Sequence, residues 1–207
     1  MAGAGPGNVD HLPTKGRKRA MRQASTPVRS LHKMGLGINL GGTVFGLVAL
    51  NPSVARIADR TERGLVLNEA WTRFQTIGVV AMGATVATWR LGGLKQAESD
   101  IDPALAGIKN VLLGGALLTS VASAIAGRRI ARQAPEQAPE GATPVESGAE
   151  PAPETPGEAA RSQRLSAFLG AATVALVAGA LGLSSALEVR AVEKLDESRG
   201  FLSRLFG

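Results

Sequence analysis

The sequence predicts an all-α protein, an integral membrane bundle of four transmembrane helices with a disordered N-terminal tail and a Pro/Glu-rich loop. Three observations predict it. Leu165 to Leu187 carries no charge over about 23 residues, enough to cross a hydrocarbon layer of about 30 Å at about 1.5 Å per residue. Apolar residues make up 44% of the chain and are gathered into four blocks, with charged or Pro/Glu-rich segments between them. Glycine is present at 26 copies while aromatics make up only 3%. That balance suits close helix packing in lipid better than a soluble core with bulky filling.

Composition also excludes chemistry. The chain has no cysteine, so disulfides, iron–sulfur clusters, thiolate zinc sites and Cys nucleophiles are out. The net charge of +6 favours anionic surfaces. In a membrane protein these are lipid headgroups rather than nucleic acid.

Residues 1–30 read as a disordered basic tail of Gly, Pro, Ser and basic residues with no apolar period. Lys15, Arg17, Lys18, Arg19, Arg22, Arg29 and Lys33 oppose the single acid Asp10. The tail is expected to set topology by the positive-inside rule and to touch anionic headgroups. No aromatics or fold accompany the charges, so nucleic-acid binding is not expected.

The segment 31–132 holds three spans, at about 34–55, 71–91 and 104–127. Ser30 is expected to cap the first, and Asn51-Pro52 to kink or end it. Gly37 and Gly41, then Gly42 and Gly46, stand four apart, as packing glycines do. They do not match G-x-G-x-x-G, and no strand precedes them. Asn39 is the most polar group of this span and should face another helix. The stretch 56–70 reads as a short polar connection, with Asp59–Arg63 and Glu69–Arg73 as helical ion pairs.

In the second span, Trp71 and Trp89 lie about 27 Å apart along a helix. That is close to the hydrocarbon thickness, so both are expected as interface anchors. Gly83 begins a small-residue face with Ala87. A short acidic connection follows, and Asp102-Pro103 marks a helix start. In the third span Gly115, Thr119, Ser123 and Gly127 recur every four residues as a continuous small face. Lys109 lies near the start of this span and is expected to snorkel to the headgroups.

Residues 133–161 read as a disordered Pro/Glu/Ala loop that acts as a spacer. Residues 162–207 hold the fourth span, 165–187. Ala175 and Gly179 form a small face there. A helical extension is expected to end at Gly200. Phe201 and Phe206 then anchor an interfacial foot.

Four spans place both termini on one side. Lys and Arg number 14 on that side against 9 on the other, so the termini are expected in the cytoplasm. The Ala/Gly/Arg-rich, Lys-poor composition suggests a high-GC bacterium, and the expected location of the multi-pass chain is its inner membrane.

Site chemistry is sparse. His11 and His32 both fall outside the expected spans, so a bis-histidine haem inside the bundle is not expected. Ser184-Ser185 has no neighbouring base in sequence, and no metalloprotease, hydrolase or P-loop motif is present. No catalytic, metal or cofactor site is expected. The expected function is non-catalytic: an accessory, scaffold or interaction subunit with a membrane-protein partner or self-association. The alternative is a small transporter or pore without intramembrane charge, its polar path lined by Asn39, Thr43, Thr119 and Ser123. The layout of a Gly-rich first helix and a polar loop leading into a Trp-flanked second helix is faintly similar to small bacterial four-helix membrane proteins, including those grouped with anthrone-oxygenase-like proteins. No residue role is carried over from them.

Overall fold

The computed structural model describes residues 25–206, with side chains to residue 197. The basic tail up to residue 24 and the anchors Phe201 and Phe206 lie outside the described side chains. Among the described residues the fold is helical, with no β-strand and one isolated bridge between Val145 and Pro151.

Helix α1 spans Thr26–Phe45. It starts with Ser25 at the cap position and Pro27 in the first turn, not at Ser30 as the sequence suggested. Proline there loses nothing, because its missing N–H would be unpaired in any case. The helix widens into a π-turn at Gly46–Leu50, before Pro52, and ends in a 3₁₀ turn at Val54–Arg56. A proline inside a helix cannot donate to the preceding turn, and such wide turns are one way to absorb the mismatch.

Helix α2 runs unbroken over Arg60–Arg90. The polar stretch 56–70 is therefore mostly its first turns and not a connection. Asp59 caps it, accepting from Glu62 N at 2.8 Å. Arg63 is thus not Asp59's helical partner; it turns inward. The Glu69–Arg73 pair forms as the spacing predicts.

After Gly93, whose φ of 76° calls for glycine, a short helix α3 covers Leu94–Ile101. This replaces the expected acidic connection. Helix α4 then spans Pro103–Ala131, and the predicted start is met: Asp102 Oδ1 accepts from Ala104 N at 3.0 Å and Leu105 N at 3.1 Å. Helix α5 is 50 residues long, Gly157–Phe206, and passes through Gly200 where the sequence suggested an end. A mid-helix glycine costs only about 1 kcal/mol, too little to stop a helix alone.

Helix α1 packs on α2 and α5, and α4 packs on α5 and α2, with the α4–α5 interface the most extensive. Three helical stretches, Thr26–Arg56, Pro103–Ala131 and Gly157–Glu197, are long and apolar enough to cross a membrane. Helices α2 and α3 meet the same test only together, across a bend of 56°. The fold is compatible with a multi-pass membrane protein.

The main core lies toward the end where α1 begins. Leu36, Met82, Leu113, Ala116, Val177 and Ala180 fill it with one layer from each helix. A second, smaller cluster at the opposite end joins Val54 and Leu67 to Val145.

Val145 belongs to the segment expected as a disordered loop. The structure corrects that reading. Thr143 and Ala142 are buried, Thr143 Oγ1 donates to Ile130 O at 2.7 Å, and Val145 N donates to Arg60 O at 3.1 Å. Glu146 reaches both Arg60 (2.9 Å) and Arg63 (3.3 Å). The few apolar and β-branched residues, Ala142 to Val145, are buried, while the acidic ones stay half-exposed or outside. Low average hydropathy hid a short stretch that docks.

Candidate functional site

Two polar sites occupy opposite halves of the bundle. The first is built on the α3–α4 corner. Asp102 and Pro103 turn the chain so that Glu98 on α3 and Lys109 on α4 meet. Lys109 Nζ donates to both carboxylate oxygens of Glu98 at 2.9 Å, and the two side chains are 0% and 5% exposed. The expected snorkelling of Lys109 does not occur. Its ammonium instead lies 4.6 Å from the centre of the Trp89 ring, within cation–π range.

Trp89 is buried and donates from Nε1 to Asn110 Oδ1 at 3.2 Å. His32 stacks on its ring with centroids 6.0 Å apart. The Nδ1 of His32 lies 3.1 Å from Thr85 O. A carbonyl only accepts, so Nδ1 carries the hydrogen, and Nε2 has no partner among the described residues. His32 therefore sits within α1 and faces inward, contrary to its expected place outside the spans. At the rim of this site Lys33 pairs with Glu188 at 2.6 Å, tying α1 to α5.

The second site is a cavity of about 130 Å³ in the other half. Its wall is drawn from α1, α2, α4, α5 and the 143–148 segment, and among the described residues it includes no charged side chain. Asn39, Thr43 and Ser123, three of the four residues expected to line a polar path, meet there. Thr119, the fourth, makes a helix–helix bond instead: its Oγ1 lies 2.8 Å from Thr173 Oγ1, which is itself on the wall.

Asn39 is buried, and its Nδ2 donates to Gly35 O (3.0 Å) and to Gly78 O on α2 (3.3 Å). It faces another helix as expected. Ser123 and Ser166 lie 3.2 Å apart across α4 and α5. Gln163 was not anticipated. It is 4% exposed, its Nε2 donates to Ser147 O at 2.7 Å, and its Oε1 has no partner among the described residues.

The packing residues divide. Gly42 meets Phe74, Gly46 meets Trp71, Gly115 meets Leu176, Gly179 meets Leu112 and Gly127 meets Gln75. Among the described residues, a Cβ at Gly37, Gly41 or Gly83 would meet nothing within 4 Å, and Ala175 is exposed, so these four lie on open faces. Spacing of four finds a face but not which face is covered.

The expected Trp89 anchor is corrected. Trp89 is interior, and Trp71 is half-buried over Gly46, its Nε1 bonded to Asn51 Oδ1 at 3.0 Å. Their separation matched a membrane thickness, yet both indoles have partners inside the protein.

Ser184 and Ser185 donate to Ala180 O and Leu181 O of their own helix, which leaves no activated hydroxyl. Among the described residues no group of His, Asp and Glu is arranged to hold a metal. Comparisons with protein-family models, curated proteins and solved structures give no match.

The residues that sequence reading missed, Glu98, His32 and Gln163, share a weak signal. Each lies in a polar or mixed stretch, Glu98 beside Ser99 and Asp100 and Gln163 between Ser162 and Arg164, and only the fold turns it inward.

Proposed function

We propose that the chain is a non-catalytic multi-pass membrane protein of four spans, with α2 and α3 together as the bent second span. It acts by interaction, as an accessory or scaffold subunit of a bacterial inner membrane. Both termini are cytoplasmic, in keeping with the Lys/Arg bias of 14 to 9.

The observation that carries this reading is how the polar groups are distributed. An ionisable group at depth is by default a candidate for transport or proton movement. Here Lys109, the most deeply buried cation among the described residues, is bound by its own carboxylate partner and lies outside the cavity. Between the two sites stands the apolar layer of Leu36, Met82, Leu113 and Val177. The cavity is thus a blind pocket rather than a path. The open faces at Gly37 and Gly41 leave α1 available to a neighbouring helix.

A second reading, a small transporter, is favoured by the meeting of Asn39, Thr43 and Ser123 at one cavity. It requires the apolar layer to part, and the buried charge means it is no longer a pore without charge.

Purification of the tagged full-length protein in a mild detergent, with identification of co-purifying chains, separates the two. A stoichiometric membrane-protein partner is the expected result. A bare monomer that passes solutes in liposomes, with flux lost in Asn39→Ala, overturns the proposal in favour of transport.

A further inference from the structure

We propose that the blind pocket between α1, α2, α4 and α5 is a binding site for a small, uncharged, largely apolar molecule with one hydrogen-bond donor, of the class of a medium-chain alcohol. The inference rests on the pocket and holds whether the protein is a scaffold or a transporter.

The size of the pocket sets the first limit. An apolar cavity of about 150 Å³ in another protein takes benzene. The volume here is about 130 Å³, enough for roughly six to nine non-hydrogen atoms.

Charge sets the second. The wall carries Leu47, Leu67, Phe74, Val79 and Trp71 together with amides and hydroxyls, and no Lys, Arg, Asp or Glu. An ion placed there would lose its hydration with no counter-charge to replace it. A neutral molecule would not.

Hydrogen-bond inventory sets the third. The amide of Gln163 is oriented by its Nε2 bond to Ser147 O, which leaves Oε1 as a buried acceptor without a partner among the described residues. Both Nδ2 hydrogens of Asn39 are spent on carbonyls, so Oδ1 is the atom it has left to offer. The hydroxyls of Thr173 and Ser120 donate to carbonyls of their own helices. Of the buried polar atoms on this wall, Gln163 Oε1 is the one without a partner among the described residues. A buried acceptor left unmatched is costly, and a hydroxyl or N–H on the ligand would satisfy it.

Trp71 lines this pocket, whereas Trp89, the other Trp of the chain, does not. Its fluorescence reports occupancy. The full-length protein in mild detergent is titrated with three quenchers of equal chain length: 6-bromo-1-hexanol, 1-bromohexane and 6-bromohexanoate at neutral pH. Linear quenching from the micelle is subtracted.

A saturable phase is expected with the alcohol. It should be weaker by about fivefold or more with the bromoalkane, the value of one hydrogen bond, and absent with the carboxylate. Ser123→Leu, which fills the pocket, should abolish it. Gln163→Leu, which keeps the volume but removes the acceptor, should erase the preference for the alcohol. Circular dichroism checks that each variant keeps its helix, and either variant alone suffices. Equal saturable quenching by all three probes, or a saturable phase that survives Ser123→Leu, overturns the proposal. So does an alcohol preference unchanged in Gln163→Leu.

Discussion

Lys109 and Glu98 form a closed ion pair across the α3–α4 corner, with both carboxylate oxygens 2.9 Å from one ammonium and neither side chain open to solvent. The pair is joined to α2 by Trp89 and to α1 by His32 against that ring. Four elements thus meet at one polar knot. The knot explains how the bent α2–α3 unit keeps its place.

Breaking half of the pair should cost more than removing all of it. Lys109→Met or Glu98→Gln alone strands a buried group, and each is expected to destabilise by about 3–5 kcal/mol. The double variant Glu98→Leu/Lys109→Met should lose less than the sum of the two. Denaturation in mild detergent, followed as a double-mutant cycle, measures this. Additive losses would mean that the two groups are independent.

The two indoles should differ in accessibility. Trp71→Phe leaves only Trp89, and its emission should be blue-shifted and resistant to acrylamide and to brominated lipid. An interface anchor facing headgroups would be quenched by the lipid probe.

Cysteine accessibility tests the docked segment. The chain has no native cysteine, so single substitutions are clean. Ala149→Cys, in an exposed stretch, should react with an impermeant maleimide in intact cells if the termini are cytoplasmic. Ala142→Cys, at 1% exposure, should stay slow even after lysis. Fast reaction at both would restore a disordered loop.

Gly64 sets how closely that segment approaches α2, because a Cβ on it would run into the Thr143 backbone. Gly64→Ala should speed proteolysis after Glu146 and Glu150 while leaving helix content unchanged. Unaltered cleavage would show that the contact does not hold the segment.

Acid should loosen the outer part of the same segment. The Glu154 carboxyl is held below the ordinary value of 4.5, first by its own backbone N–H and then by Arg60. A carboxyl whose pKa is lowered on folding adds stability above its unfolded value, and that contribution fades as pH falls through the folded value. Protease sensitivity of the segment should therefore be flat at neutral pH and rise only below about 4.5. The group is fully exposed, so high salt should give a similar, small effect. A rise centred near neutral pH would rule out this carboxyl as the cause.

The four apolar blocks, the Asp102-Pro103 start of α4, the Glu69–Arg73 pair and the inward turn of Asn39 were all readable along the chain. Each depends on residues close in sequence: a helical period, a cap, a spacing of four. The true extents of α1 and α2 were not readable. Their polar first turns are stabilised by partners far along the chain, such as Glu188 for Lys33 and Glu146 for Arg63. Trp89 misled for a related reason. Its distance from Trp71 is a one-dimensional quantity, whereas facing headgroups or facing Lys109 is a matter of rotation about the helix.

Linear order alone was enough for helicity, for the absence of thiol chemistry and for the candidate spans, because these follow from composition and local period. Tertiary structure decided which small faces are covered, whether Lys109 reaches solvent, whether the Pro/Glu segment docks, and that three scattered polar residues share one pocket with Gln163. Those outcomes depend on the energy of bringing distant groups together, and a buried charge or amide takes the conformation in which another part of the chain completes its bonds.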